Sequence, residues 1–245
     1  MVEVALVGGT GYVGGELLRI LLQHPDVEVG LVTSRRMAGE YVYRVHPNLR
    51  GYTNLRFEKP DVNKLSEFDI VLSAAPHGAM LDQTAELVDM GVRVIDLSAD
   101  YRLKRPELYE KYYGFTHPHP DLLEKSVYGL PELHRAEVKD AQLIACPGCT
   151  ASAAILSLAP ISTLVEPGLI VVDAMEGSSA RGVEPSQASH HPERANVVRP
   201  YKPVGHRHTP EIEQELKAFS GKEFKVALST FAVDVVRGIL TASHV

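Results

Sequence analysis

One short stretch limits the possible folds more than any other. Gly8-Gly9-Thr10-Gly11-Tyr12-Val13-Gly14 follows the apolar run Val2–Val7 and opens a segment with apolar residues near helical spacing, Val13, Leu17, Leu18, Leu21 and Leu22. From Gly9 through Gly11 to Gly14 it fits G-x-G-x-x-G. One glycine makes the tight turn from strand to helix, one lets the backbone approach a pyrophosphate, and one lets the helix pack on the strand. The helix start then offers unpaired N–H groups and a positive dipole end to phosphate. An ordinary glycine-rich turn has the same letters, but placement directly after the first strand favours a dinucleotide site formed by Gly8, Thr10, Gly11, Tyr12, Val13 and Gly14. The second strand-like run, Val27–Val32, ends in Thr33-Ser34-Arg35-Arg36. An acidic residue there would bind the ribose 2′-hydroxyl of NAD. A hydroxyl and two guanidinium groups suit a 2′-phosphate instead, so NADP(H) is expected at Ser34, Arg35 and Arg36 rather than a merely solvated basic turn.

Further strand-like runs at Phe68–Ala75 and Val92–Leu97, with a helical pattern at Met80–Asp89, continue the alternation. Strand–helix–strand order predicts an α/β fold with a parallel sheet and right-handed crossovers. Composition agrees: 44% hydrophobic and 23% charged residues exclude a disordered chain, and a net charge of −6 argues against a general nucleic-acid binder. No run approaches the roughly 20 apolar residues of a membrane span. The chain enters its first strand directly, with no signal-peptide pattern, and its two cysteines form no disulfide framework. A cytoplasmic protein is expected.

The pattern changes after about Asp100. Tyr101–Pro131, rich in Tyr, His and Pro, reads as loop with one short helix. Gln142–Ala145 reads as a strand, Thr150–Leu164 as a helix that Pro160 should end or kink, and Leu169–Met175 as a strand. Gly177–Lys202 is polar without periodicity, as functional loops often are. A helix follows at Pro210–Phe219, then strands at Phe224–Val236 and Ile239–Val245. Two domains are expected, 1–148 and 149–245.

Cys146-Pro147-Gly148-Cys149-Thr150 sits between a strand and a helix. As half of a zinc site it lacks a second cysteine pair, and the other histidines, including His117, His119 and His190-His191, have no diagnostic spacing, so no metal is expected. As C-x-x-C it could be a redox dithiol. As a single nucleophile it puts Cys149 at a helix N-terminus, where the dipole favours thiolate, with Cys146 a packed neighbour. That chemistry needs an acid or base. Gly205-His206-Arg207-His208-Thr209-Pro210-Glu211 offers two imidazoles and a guanidinium before a helix.

Taken together, Gly9–Gly14, Pro76-His77-Gly78, Asp96–Leu103, Tyr128–Glu132, Pro147-Gly148-Cys149 and Gly205–Glu211 resemble the N-acetyl-γ-glutamyl-phosphate reductase family, related to the aspartate-semialdehyde dehydrogenases. They occur in family order along the whole chain. Glu176–Ser179 and Ser189–Arg194 are similar to the branch whose substrates ride on a small acidic amino-group carrier protein of the LysW type, in lysine and sometimes arginine biosynthesis. The resemblance implies a Rossmann-type NADP-binding domain and an α+β substrate domain of the semialdehyde-dehydrogenase type. It implies NADPH-dependent reduction of an acyl phosphate to a semialdehyde through a thioester on Cys149. His208 is then the acid/base, with His206 in reserve, and Ser98, Arg102, Ser178, Ser179 and Arg207 contact the substrate. The basic stretch Arg194, Arg199, Lys202 and Arg207 would steer an acidic carrier. Thr150 departs from the Tyr usual after the Cys in the acetyl-substrate branch, which weighs against a small acetylated substrate. The family continues past residue 245, so a truncated chain is expected, and a homo-oligomer. An inactive NADP-binding fragment, an acetyl-substrate reductase and a thiol-redox protein are the competing readings.

Overall fold

The computed structural model describes residues 1–245, which divide by their contacts into two compact units. The first comprises Met1–Lys104, Pro118–Gly129 and His134–Cys146, and the second Arg105–His117, Leu130–Leu133 and Pro147–Val245. The chain crosses for the last time from the first unit to the second between Cys146 and Pro147, and two segments upstream of that point belong with the second unit.

The first unit is a seven-stranded, all-parallel sheet of β1 (Val2–Val7), β2 (Val27–Thr33), β3 (Phe57–Glu58), β4 (Ile70–Ser73), β5 (Arg93–Asp96), β6 (Val127–Tyr128) and β7 (Leu143–Ala145), in the order β3-β2-β1-β4-β5-β7-β6. The order reverses between β1 and β4, and such open sheets bind ligands beyond the strand ends at this reversal. Val4, Leu6, Val29, Val32, Phe57 and Leu72 join Leu18 of the helix Tyr12–Leu21 in one buried cluster. Each such fully buried aliphatic side chain contributes about 1.5–3 kcal/mol.

The second unit has a four-stranded mixed sheet of β8 (Leu169–Glu176), β9 (Arg199–Lys202), β10 (Lys225–Ala232) and β11 (Ile239–His244), ordered β11-β8-β10-β9. β8 runs parallel to β10 and antiparallel to β11. The last two strands therefore flank β8 and form no hairpin. Alternate residues of β8 and β10, including Ile170, Val172, Ala174, Val226 and Leu228, are buried, and the helices Cys149–Ser162 and Thr209–Ser220 pack on the sheet and on each other. Pro160 lies in the last turn, and the helix ends at Ser162.

The expected loop at 101–131 holds two helices, Glu107–Tyr113 and Pro120–Lys125, and the short β6. The first is anchored by aromatic rather than aliphatic contacts: Tyr109 is fully buried, with ring centroids 5.6 Å from Phe115 and 4.7 Å from His117. Gly114 closes it in the left-handed region at φ 77°. The polar stretch 177–202 also holds short elements, 3-10 turns at Ser178–Arg181 and Gln187–Ser189, a helix at His191–Arg194, and β9. No helix is long and apolar enough to cross a membrane.

Candidate active site

In the first unit, three of the glycines close the turn after β1 by contact. A methyl group on Gly8, at φ 77°, would lie 2.8 Å from the main chain of Ala74 beyond β4, and one on Gly14 would lie 2.8 Å from Gly8 O. One on Gly9 would overlap Val32. Gly11 differs. It is the N-cap of the helix Tyr12–Leu21, no side chain caps that helix, its first turn has no acidic residue, and a Cβ on Gly11 would meet nothing within 4 Å. Open, donor-rich backbone at a sheet reversal fits a pyrophosphate. His46, which the sequence did not single out, braces the turn: its Nε2 donates to Gly9 O at 2.7 Å.

At the end of β2, Ser34 is buried and its Oγ accepts the Met37 N–H, while Arg35 and Arg36 are exposed. Arg35 lines a cavity of about 220 Å³ with Pro60, Asp61, Met80 and Gln83. The Asp61 carboxylate caps the helix Val62–Leu65 through the Asn63 N–H.

Ser98 and Arg102 lie in a buried network of the same unit. The Ser98 hydroxyl donates to Asp96 at 2.6 Å and accepts the Asp100 N–H. Burial pushes the Asp96 carboxyl up to about 6. Arg102 Nε donates to Cys146 O at 2.7 Å and Nη2 to Leu97 O at 2.9 Å. These bonds lock the ends of β5 and β7. Burial also pushes the half-buried Cys146 thiol up to about 11.

The second unit holds a cavity of about 520 Å³ lined by Cys149, Glu176, His206 and His208, by the cations Lys111, Arg181, Lys202 and Arg207, and by Tyr112 and Tyr201. Cys149 is exposed and begins the helix Cys149–Ser162, behind the N-cap Gly148. A methyl group on Gly148 would lie 2.6–2.7 Å from His208 Cδ2 and Cε1, and closer still to Nε2. The His208 imidazole therefore occupies the place a side chain at 148 would need, one residue from Cys149. The Gly148 N–H donates to Glu211 at 2.9 Å. Glu176, at the end of β8, accepts hydroxyl bonds from Thr150 and, at 2.6 Å, from Tyr201, and Arg181 stacks 4.2 Å from the Tyr201 ring. No group of three or more His, Cys, Asp and Glu side chains is placed to hold a metal ion.

The pattern of the "Semialdehyde dehydrogenase, NAD binding domain" matches residues 3–141, and that of the "Semialdehyde dehydrogenase, dimerisation domain" matches residues 149–245. The chain belongs to the semialdehyde dehydrogenase family. Relatives named "[LysW]-L-2-aminoadipate/[LysW]-L-glutamate phosphate reductase" include one from Saccharolobus solfataricus, 50% identical over 246 residues, covering 99% of this chain and 70% of its own length. Another, from Sulfurisphaera tokodaii, is 51% identical over 247 residues, covering 100% of this chain and 71% of its own. Aspartate semialdehyde dehydrogenase II from Vibrio cholerae shares the fold, with a TM-score of 0.71 at 19% identity over 99% of this chain and 73% of its own.

In this semialdehyde dehydrogenase the two candidate imidazoles are unequal. Burial, with Arg207, Lys202 and Arg181 assisting against Glu176, pushes His206 down to about 4. His206 Nδ1 accepts the His208 N–H at 3.1 Å, so its ring proton sits on Nε2. His206 is thus a neutral support for the His208 main chain. Ser178 and Ser179 lie where the chain folds back: their N–H groups donate to Val235 O and Val236 O, and Ala180 and Arg181 line the cavity in their stead. In the basic stretch, Lys202 and Arg207 line the cavity, whereas Arg194 is buried and donates to Glu176 O and Val233 O, and Arg199 pairs with Glu193 at 3.2 Å. Arg194 therefore has no surface to offer a carrier. Lys111, Tyr112, Arg181 and Tyr201 were not legible as site residues, because they reach the cavity from separate elements with no shared motif, while Glu176 stood out only as the first residue of the Glu176–Ser179 motif.

Proposed function

We propose that this chain is an NADPH-dependent acyl-phosphate reductase that forms the semialdehyde of a carrier-linked aminoadipyl or glutamyl group. The observation that carries the reading is His208 filling the side-chain space of Gly148, beside an exposed Cys149 in a cavity with four cations and one carboxylate. The names of relatives near 50% identity support the substrate class. NADP over NAD rests on Arg35, Arg36 and Ser34 at the end of β2. A reducing cytoplasm suits two free thiols.

His208 takes the Cys149 proton, and the thiolate attacks the acyl-phosphate carbonyl. The C–S bond forms, the C–O bond to phosphate breaks, and phosphate departs toward Arg181, Lys202 and Arg207 with a proton from solvent. N–H groups of the first helical turn at Cys149 and Thr150 stabilise the tetrahedral oxyanion. NADPH, which the Gly8–Gly14 turn would hold, would supply the hydride that reduces the thioester carbonyl to the thiohemiacetal oxyanion. His208 protonates the thiohemiacetal oxyanion and recovers that proton as the C–S bond breaks, releasing aldehyde and thiolate. Ser98 and Arg102 serve as anchors of the β5 and β7 ends, since their bonds run to Asp96 and to main-chain carbonyls.

Lys202, Arg207, Arg181 and Lys111 give the cavity the charge that an acidic carrier would meet, and steering of this kind weakens with salt. The dimerisation-domain match supports a homo-oligomer. The test is NADP-dependent oxidation of glutamate and aminoadipate semialdehydes, each acetylated or carrier-linked, in the presence of phosphate. Turnover of a carrier-linked aldehyde with Cys149-dependent phosphate uptake is expected. Turnover of the acetylated forms alone would overturn the carrier reading, and no turnover of any would overturn the activity.

A further inference from the structure

Among the buried acidic groups that the mechanism above leaves without a task, Glu211 is the one bonded to the Gly148 main chain. Glu211 is fully buried in the first turn of the helix Thr209–Ser220, and its Oε2 accepts the Gly148 N–H at 2.9 Å. The same helix starts at His208, whose ring closes on the other side of Gly148, where a methyl group would lie 2.6 Å from Cδ2. One glycine is therefore gripped at two points by one helical turn, at its N–H by Glu211 and at its Cα by His208. The next residue is Cys149. A buried carboxylate on a helix N-terminus opposes a thiolate on that helix, so dipole enhancement is not a sufficient reason for Glu211 to be there. Its geometry supplies a different one.

We infer that Glu211 is a positioning residue which, by accepting the Gly148 N–H, fixes the start of the nucleophile's helix against His208 and sets the register between Cys149 and its base. The inference rests on the acid/base role of His208 proposed above. Misplacement by about 1 Å is enough to cost a reaction of this kind on the order of 100-fold. The bond has a definite reach, which separates position from charge. Glu211→Asp keeps the charge and withdraws the acceptor by one methylene, while Glu211→Gln removes the charge and keeps an acceptor oxygen at the same reach.

The experiment measures the rate of Cys149 alkylation by iodoacetamide against pH, with the site fixed by peptide mass, in the wild-type chain, His208→Ala, Glu211→Asp and Glu211→Gln. Thermal melting of each variant checks that it is folded. The result expected is that His208→Ala loses the low-pH reactivity of the thiol, Glu211→Asp loses it too, and Glu211→Gln restores it. In semialdehyde oxidation Glu211→Asp should lower kcat with KM nearly unchanged. A folded Glu211→Asp with the wild-type profile overturns the inference, and so does a folded Glu211→Gln that behaves as His208→Ala. If His208→Ala itself leaves the profile unchanged, the base assignment fails and the inference falls with it. A contrary Glu211 result alongside a large His208→Ala effect removes the inference alone. The alkylation readout needs no substrate, so it stands whatever acyl group the enzyme takes.

Discussion

The helices Tyr12–Leu21 and Cys149–Ser162 begin in nearly the same way. Each follows a strand, each has glycine at its N-cap, neither has a side-chain cap, and neither has an acidic residue in its first turn. Their surroundings are opposite. At Gly11 a side chain would meet nothing within 4 Å, while at Gly148 it would enter the His208 ring, and the Gly148 N–H is already taken by Glu211. One helix start is open to receive an anion, and the other is clamped to present a thiol. In the proposed mechanism the shared local chemistry, exposed donors and a positive dipole end, serves binding in one unit and reaction in the other. What decides between the uses is the tertiary neighbour.

The largest effect should come from removing what the clamped start presents. Cys149→Ser is expected to lower kcat by on the order of 10⁴-fold or more while NADPH binding, followed by fluorescence titration, stays as it was. Cys146→Ser should retain turnover, and the reverse pattern would end the assignment. Next comes the base: His208→Ala should cost about 10²–10⁴-fold in kcat, and His206→Ala less, acting through the His208 main chain. If His206→Ala were the more damaging, the two imidazoles would exchange roles.

Exchanging the glycines tests the contrast directly. Gly148→Ala should displace the His208 ring and lower kcat by on the order of 100-fold with NADPH affinity intact. Gly11→Ala should weaken NADPH about tenfold or more and leave Cys149 alkylation unchanged, because a methyl there meets only the ligand. Equal effects of both variants on both measurements would erase the distinction. Replacing Arg35 and Arg36 together by Ala should reduce the preference for NADPH over NADH by roughly 10–100-fold, the scale of hydrogen bonds to a charged group. Steady-state kinetics with both cofactors reads it.

The smallest effect contrasts the two units through pH. Burial holds His206 at about 4, below its unfolded value, so the stability it confers is present above about 6.5 and is lost as pH falls toward 4. Burial raises Asp96 to about 6, so its contribution has the opposite sign, present at low pH and lost as pH rises from about 4 to 6. Hydrogen exchange corrected for intrinsic rates should show protection around His206 falling, and around Asp96 rising, on acidification from pH 6.5 to 4.5. His206→Gln and Asp96→Asn should flatten the respective trends.

The strand-to-helix turn at Gly8–Gly14 and the place of Cys149 at a helix start were legible because backbone demands leave local marks: glycines at fixed offsets, and a cysteine at a strand-to-helix boundary. The parallel sheet was legible from alternating periodicities. The remainder depends on distant packing. Nothing near Gly148 shows that His208 fills its side-chain space. The helix Glu107–Tyr113, which brings Lys111 and Tyr112 to the cavity, is held by Tyr109 against Phe115 and His117, and so lacks the aliphatic stripe that identifies a helix. Arg194 belonged to a stretch read as a basic rim, yet it is buried, because an aperiodic segment carries no signal of which residues turn inward. Ser98 and Arg102 sit in a family motif, and the sequence gives no sign that they bond Asp96 and the main-chain carbonyls of Cys146 and Leu97.

The unequal thiols have a practical consequence. With Cys146 half-buried and its thiol pushed up to about 11, the chain near neutral pH offers electrophiles one addressable sulfur, at Cys149. A single equivalent of a thiol-directed fluorophore therefore becomes a stoichiometric reporter of the cavity at Cys149. Protection of that thiol from labelling by substrate, carrier or inhibitor can be counted without engineering a cysteine away.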